Sequence, residues 1–186
     1  MPRDVVLQAS PTAPPRELTA AGLFADHGAF VWRVLRRLGV PDIDADDACQ
    51  EVFLTVHRRL HAFEGRSSPR TWLYGICVRV ASDYRKRAKT RRERCAPNLP
   101  DQAVEPSQLG QVALNEARAL LDRILEELDD EKRAAFVLYE IEELSLKEVA
   151  VALGCPLQTA FSRLQAARRD VEAALARLRA EEDRHE

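Results

Sequence analysis

From Trp72 to Tyr84, apolar side chains recur every three or four residues without a break: Trp72, Leu73, Ile76, Cys77, Val80, Ala81 and Tyr84. That spacing lines one face of an α-helix. Ser68 is suited to cap it and Pro69 to its first position. Thr71, Tyr74 and Arg79 are expected on or near the outer edges of this face. Beyond Tyr84 the stripe stops and cations take over, with eight Lys/Arg against two acids from Arg79 to Arg94. An aromatic beginning and a cationic end suit opened DNA, where bases meet flat apolar surfaces and phosphates meet Lys and Arg. A plain amphipathic helix with a solvated basic end has the same pattern.

The same helical period runs through the rest of the chain. Residues 1–18 hold four prolines and little periodicity, which predicts a disordered arm. Leu23, Phe24, Phe30, Val31, Val34, Leu35 and Leu38 predict a helix that Gly39 and Pro41 stop. Asp42 and Asp44 are placed to cap the next helix, which buries Ala48, Val52, Phe53, Val56 and Leu60. Its other faces carry Asp46, Asp47, Gln50, Glu51 and Leu54, which are either dipole decoration or a dock for a basic partner. A short loop with Gly65 at its tip leads into the helix at Ser68. Residues 95–113, rich in Pro and polar side chains, predict a flexible linker. The expected fold is therefore all-α, with two small helical domains at 19–94 and 114–180 and a tail at 181–186. Asp101 to Ala150 holds thirteen acids against five bases, so a net charge of only -2 conceals a polarised chain.

In the second domain, Leu114, Ala117, Leu121, Ile124, Leu125 and Leu128 predict one helix. Asp129 and Asp130 break and recap it, and Ala134 to Ile141 predict another. Ser145 and Glu148 have capping-box spacing at the start of a short helix over Leu146–Leu153. Gly154 turns the chain into a helix that begins near Pro156. A small residue at Ala150 and a glycine four positions later form the signature of a helix-turn-helix. In such a unit the second helix enters the major groove. Gln158, Thr159, Phe161, Ser162 and Gln165 are then candidate base readers, and Arg163, Arg168 and Arg169 candidates for phosphates or guanine edges. Phe161 could meet a thymine methyl or pack as core.

DADDACQEVFL (Asp44–Leu54), FEGRSS and TWLYGI (Thr71–Ile76) together resemble region 2 of bacterial RNA polymerase sigma factors. The second domain resembles their region 4. The short linker points to the compact extracytoplasmic-function (ECF) group. The resemblance covers about Leu23 to Arg177 and implies a dissociable polymerase subunit rather than an enzyme. It implies that Asp47, Gln50 and Glu51 bind the clamp helices of the beta-prime subunit, with the beta flap as a further polymerase contact. The loop Phe63, Glu64, Gly65, Arg66 and Ser67 would take a flipped base of the -10 element. Trp72 would support melting, and Arg79, Arg85 and Lys86 would follow the non-template strand. The last helix would read the -35 element. An anti-sigma protein, common in the group, would be a further partner. The implied location is the cytoplasm, at the nucleoid. Three residues depart from the family's usual pattern: Arg79 in place of Asn, and Phe161 and Ala166 in place of cations.

Other functions are weighed against this. A two-domain DNA-binding regulator that never engages polymerase shares most of these features. An enzyme would have to use Cys77 or the pair His57 and His61, and no base–nucleophile pairing or phosphate loop is visible. The cysteines (Cys49, Cys77, Cys95 and Cys155) form no CxxC, so no disulfide framework is expected. His57 and His61 have metal spacing on a helix but no clear third and fourth ligand nearby, so no metal site is expected, and no cofactor is implied. No apolar run approaches the ~20 residues a membrane span needs.

Overall fold

The computed structural model describes residues 18–94 and 109–182. The expected arm, most of the linker and the last four residues lie outside them. The described residues form α1 (Ala20–Arg37), α2 (Asp42–Arg59), α3 (Pro69–Arg94), α4 (Leu109–Glu126), α5 (Asp130–Phe136), α6 (Leu146–Leu153) and α7 (Leu157–Glu182). A 3-10 turn at Leu60–Ala62 follows α2, and a π-helical turn at Val137–Ile141 follows α5. No strand occurs among them. The expected all-α fold stands, and α4 begins ahead of the expected Leu114.

Local chemistry accounts for most boundaries. Thr19 caps α1 by accepting from the Gly22 amide at 3.0 Å. The Ser68 hydroxyl accepts from the Thr71 amide at 3.0 Å and starts α3. Asp129 caps α5 through the Lys132 amide at 2.9 Å. Ser145 and Glu148 form the full capping box of α6, and Gly154 ends that helix at φ 63°. The expected cap of α2 is a correction. Pro41 precedes that helix and no side chain caps it, while Asp42 and Asp44 lie within its first turn. Asp42 pairs instead with Arg36 at 2.5 Å.

The first lobe, α1 to α3, buries Leu23, Val31, Val34, Leu35, Val52, Val56, Leu73 and Cys77. The second, α4 to α7, buries Leu125, Val137, Leu138, Val149, Ala160 and Leu164. The two lobes do not stand apart, because α3 lies against α6 and one continuous apolar core runs through both. This corrects the placement of Thr71 and Tyr74. Both are buried: Glu148 and Glu142 of the second lobe reach them, and Phe30 of α1 packs against the Tyr74 ring. At Gly75 the backbones come close enough that a Cβ would sit 3.0 Å from the Ala152 carbonyl oxygen.

Candidate nucleic-acid interface

The loop before α3 is held by an aromatic contact. Phe63 leaves the 3-10 turn and its ring lies 5.1 Å from that of Trp72, centroid to centroid. Both rings are only partly buried. Glu64 and Arg66 pair with each other at 2.8 Å at the loop surface. Gly65 adopts φ 68° with open space around it, a conformation that favours glycine. Ser67 is half-buried. The structure thus brings Phe63 and Trp72 together at the start of α3, beneath an open loop tip.

Along α3 the cations meet different surroundings. Arg79 and Lys86 are exposed and carry no ion pair among the described residues. Arg87 lies over the Tyr84 ring at 5.1 Å and reaches Glu51 at 3.7 Å. Arg91 reaches Asp44 at 3.2 Å. The acids of α2 therefore partly neutralise the basic end of α3. These exposed pairs contribute little stability, about 0–1 kcal/mol each. Asp47 and Gln50 remain exposed on α2, beside the exposed apolar residues Ile43 and Leu54. Asp46 accepts from the Trp32 indole at 2.9 Å and ties α2 to α1.

Arg85 points elsewhere. It pairs with Asp130 at 3.0 Å and donates to the Leu128 carbonyl at 3.2 Å, both in the second lobe. Arg163 of α7 pairs with Glu131 at 2.6 Å. Arg85, Asp130, Glu131 and Arg163 line one cleft of about 140 Å³ between the lobes. Two expected DNA contacts, one from each lobe, thus face the same acidic turn. Arg168 is also engaged, by Glu140 at 2.6 Å and over the Tyr139 ring at 5.4 Å.

The open face of α7 is consequently short of cations. Leu157, Gln158, Phe161, Ser162 and Arg169 are exposed there, while Thr159 and Gln165 are half-buried. Leu157 and Phe161 stand four apart, on one side of the helix, and expose 46% and 43% of their surface. Phe161 is therefore not core. Leu157, Asp130, Glu131 and Glu142 were not among the expected functional residues. Leu157 could have been found from its i, i+4 relation to Phe161. The acids have no local signal, because their partners lie far along the chain.

The alternative of a thiol enzyme meets a specific obstacle. Cys77 is fully buried, and burial pushes its thiol well above the ordinary range, away from the reactive thiolate. His57 and His61 are exposed. No group of three His, Cys, Asp or Glu arranged to hold a metal occurs among the described residues. No described helix is long and apolar enough to cross a membrane.

The family model described as Sigma-70 region 2 matches residues 23–91, and that of Sigma-70, region 4 matches residues 118–180. The chain is 32% identical over 148 residues to the ECF RNA polymerase sigma-E factor of Escherichia coli K12, covering 72% of this chain and 74% of that one. It is 30% identical over 141 residues to the RNA polymerase sigma-H factor of Pseudomonas aeruginosa, covering 71% and 73%. Among solved structures it resembles CnrH in complex with the cytosolic domain of CnrY, at TM-score 0.61 and 27% identity, covering 84% of this chain and 87% of that one. It shares its fold with the sigma factor RpoE from Bartonella quintana, solved with the anti-sigma factor NepR, at TM-score 0.65 and 22% identity, covering 84% and 96%.

Proposed function

The chain belongs to the extracytoplasmic-function group of RNA polymerase sigma factors, and from that footing we propose how its two lobes direct core polymerase to a promoter in the cytoplasm. Membership sets aside the regulator that works without polymerase. The exposed Asp47 and Gln50, with Glu51 beside them, dock the clamp helices of the beta-prime subunit. Residues 19–94 act on the -10 element and residues 114–180 on the -35 element.

The observation that carries this reading is the Phe63–Trp72 pair at the head of α3. A base of the -10 element flips out beside the loop Phe63 to Ser67. Flipping costs a few kcal/mol, which stacking of about 1–3 kcal/mol per base partly offsets. Trp72 supports the duplex edge, and Arg79 and Lys86 follow the displaced strand's phosphates, joined by Arg85 once it leaves Asp130 and Leu128. Capturing that strand shifts the equilibrium toward open DNA without fuel.

In the -35 element, α7 enters the major groove and presents Gln158, Phe161, Ser162 and Gln165 to base edges, with Thr159 alongside. Arg163 and Arg168 must leave Glu131 and Glu140 to reach phosphates. Leu157 and Phe161 give this face an apolar chemistry suited to thymine methyl groups. The solved relatives complexed with CnrY and NepR support an anti-sigma protein as a further partner of this chain.

In vitro transcription with core polymerase on genomic fragments tests the reading. Discrete start sites that share upstream elements are expected. Failure of the chain to co-purify with core polymerase would overturn it. Asp47→Lys should abolish that complex and leave the helical fold intact.

A further inference from the structure

Glu142 sits where the second lobe meets the first. The π turn at Val137–Ile141 precedes it, and Glu143 follows at φ 58°, a conformation unfavourable for a residue with a side chain. This irregular segment carries Glu142 onto α1 and α3 of the other lobe. Its carboxylate accepts from the Tyr74 hydroxyl at 2.7 Å, pairs with Arg37, and lies 3.6 Å from Arg70. Only 7% of the side chain remains exposed. From the same lobe, Arg133 donates to the Arg37 carbonyl at 2.8 Å, so Arg37 is held through both its backbone and its side chain. Thr71 donates to Glu148 at 3.4 Å, and Ser82 to Asp130 at 3.2 Å.

These contacts close a state that cannot occupy a whole promoter. The -10 and -35 elements lie roughly 25 base pairs apart, on the order of 85 Å at about 3.4 Å per pair. Lobes that share one apolar core cannot reach both. Closure also ties Arg85 to Asp130 and Leu128, and it brings Arg85 and Arg163 into one acid-lined cleft. We propose that the chain inhibits itself in this closed state, and that Glu142, seated among Tyr74, Arg37 and Arg70, is the latch that must release before the factor engages polymerase and promoter together.

The inference rests on the proposed sigma activity and adds an equilibrium to it. If only the open form binds productively, apparent affinity falls by the open fraction. Removing one partner of a buried charged group leaves the other unsatisfied and favours opening, where water solvates both. Tyr74→Phe removes one oxygen from a buried ring and keeps its shape. Arg37→Gln removes the main countercharge.

The test uses the full chain in two measurements. Small-angle X-ray scattering of the free protein reads closure, and run-off transcription against factor concentration reads competence. Wild type should scatter as a compact particle. Both variants should show a larger radius of gyration and a half-saturating concentration for core polymerase about tenfold lower, with unchanged maximal output. An extended wild-type particle would overturn the proposal, as would folded variants whose half-saturation is unmoved or raised. If Arg37→Gln loses its helical circular dichroism, Tyr74→Phe decides. If wild type supports no transcription at all, the sigma activity is what fails, and scattering alone decides whether the latch closes the molecule.

Discussion

Arg133 occupies the space that a side chain at Gly39 would need. A Cβ there would lie 2.3 Å from the Arg133 Nη1 atom. Gly39 holds φ 91° just after α1, and Arg133, 3% exposed, reaches across from α5 to the carbonyl of Arg37. A guanidinium at the carboxyl end of α1 also complements that helix's dipole. Burial and the nearby Arg85 cation lower the Arg133 pKa to about 10.

Gly39→Ala should therefore destabilise the protein by about 2 kcal/mol. Part is the backbone cost of positive φ and part the displaced Arg133 hydrogen bond. Urea unfolding followed by circular dichroism measures it.

Glu131 pairs with Arg163 at 2.6 Å. Glu131→Gln should free that cation for a phosphate and steepen the log–log salt dependence of DNA binding by about one. Adding Arg163→Ala should return the slope to its starting value. Equilibrium binding of labelled promoter duplex across a salt series gives both numbers.

The exposed pair Leu157 and Phe161 predicts a dependence on thymine methyl groups. Replacing thymidine by deoxyuridine in the mapped -35 element should weaken promoter use by roughly fourfold, about 0.8 kcal/mol per buried methyl. Phe161→Ala should respond less to the same replacement. Competition between the two templates in one transcription reaction compares them directly.

Ser145→Ala should cost about 1 kcal/mol, since it removes the cap of α6. Hydrogen bonds from Ser145 hold the Glu148 carboxyl below its ordinary value of 4.5. A lowered native pKa gives stability that is present above the unfolded value and lost as pH falls through the native one. Wild type should therefore lose this contribution below about pH 4.5, and Ser145→Ala should lose less. Thermal melts at pH 7 and pH 3.5 separate the two.

Features set by neighbours in the chain were legible in the sequence. Ser68, Asp129, Ser145, Glu148 and Gly154 each act within a few residues, and each stands where its chemistry indicated. Asp42 misled, because a carboxylate before an apolar stripe serves equally as a first-turn residue that pairs backward with Arg36. The interface between lobes was not legible. Tyr74 and Glu142 are separated by 68 positions, and Arg85 and Leu128 by 43. No periodicity carries such a pairing, so Tyr74 read as the edge of a stripe. The loop itself was visible, with Gly65 at its tip ahead of the helix that Ser68 starts. The neutralisation of Arg163 and Arg168 was not, because their acids sit on other helices.

Gly75 gives the close approach of α3 and α6 a mechanical meaning. A glycine inside a helix costs about 0.5–1 kcal/mol relative to alanine. Here its lack of a side chain lets the Ala152 backbone lie against it. The second lobe therefore splints a compliant point of α3, between Trp72 and Arg79. In the open form proposed above, that point is braced by the first lobe alone. The helix then gains freedom to flex between the loop proposed to receive a base and the cations proposed to follow the strand. In the proposed cycle, α3 is stiff while the lobes are closed and more pliant once they part.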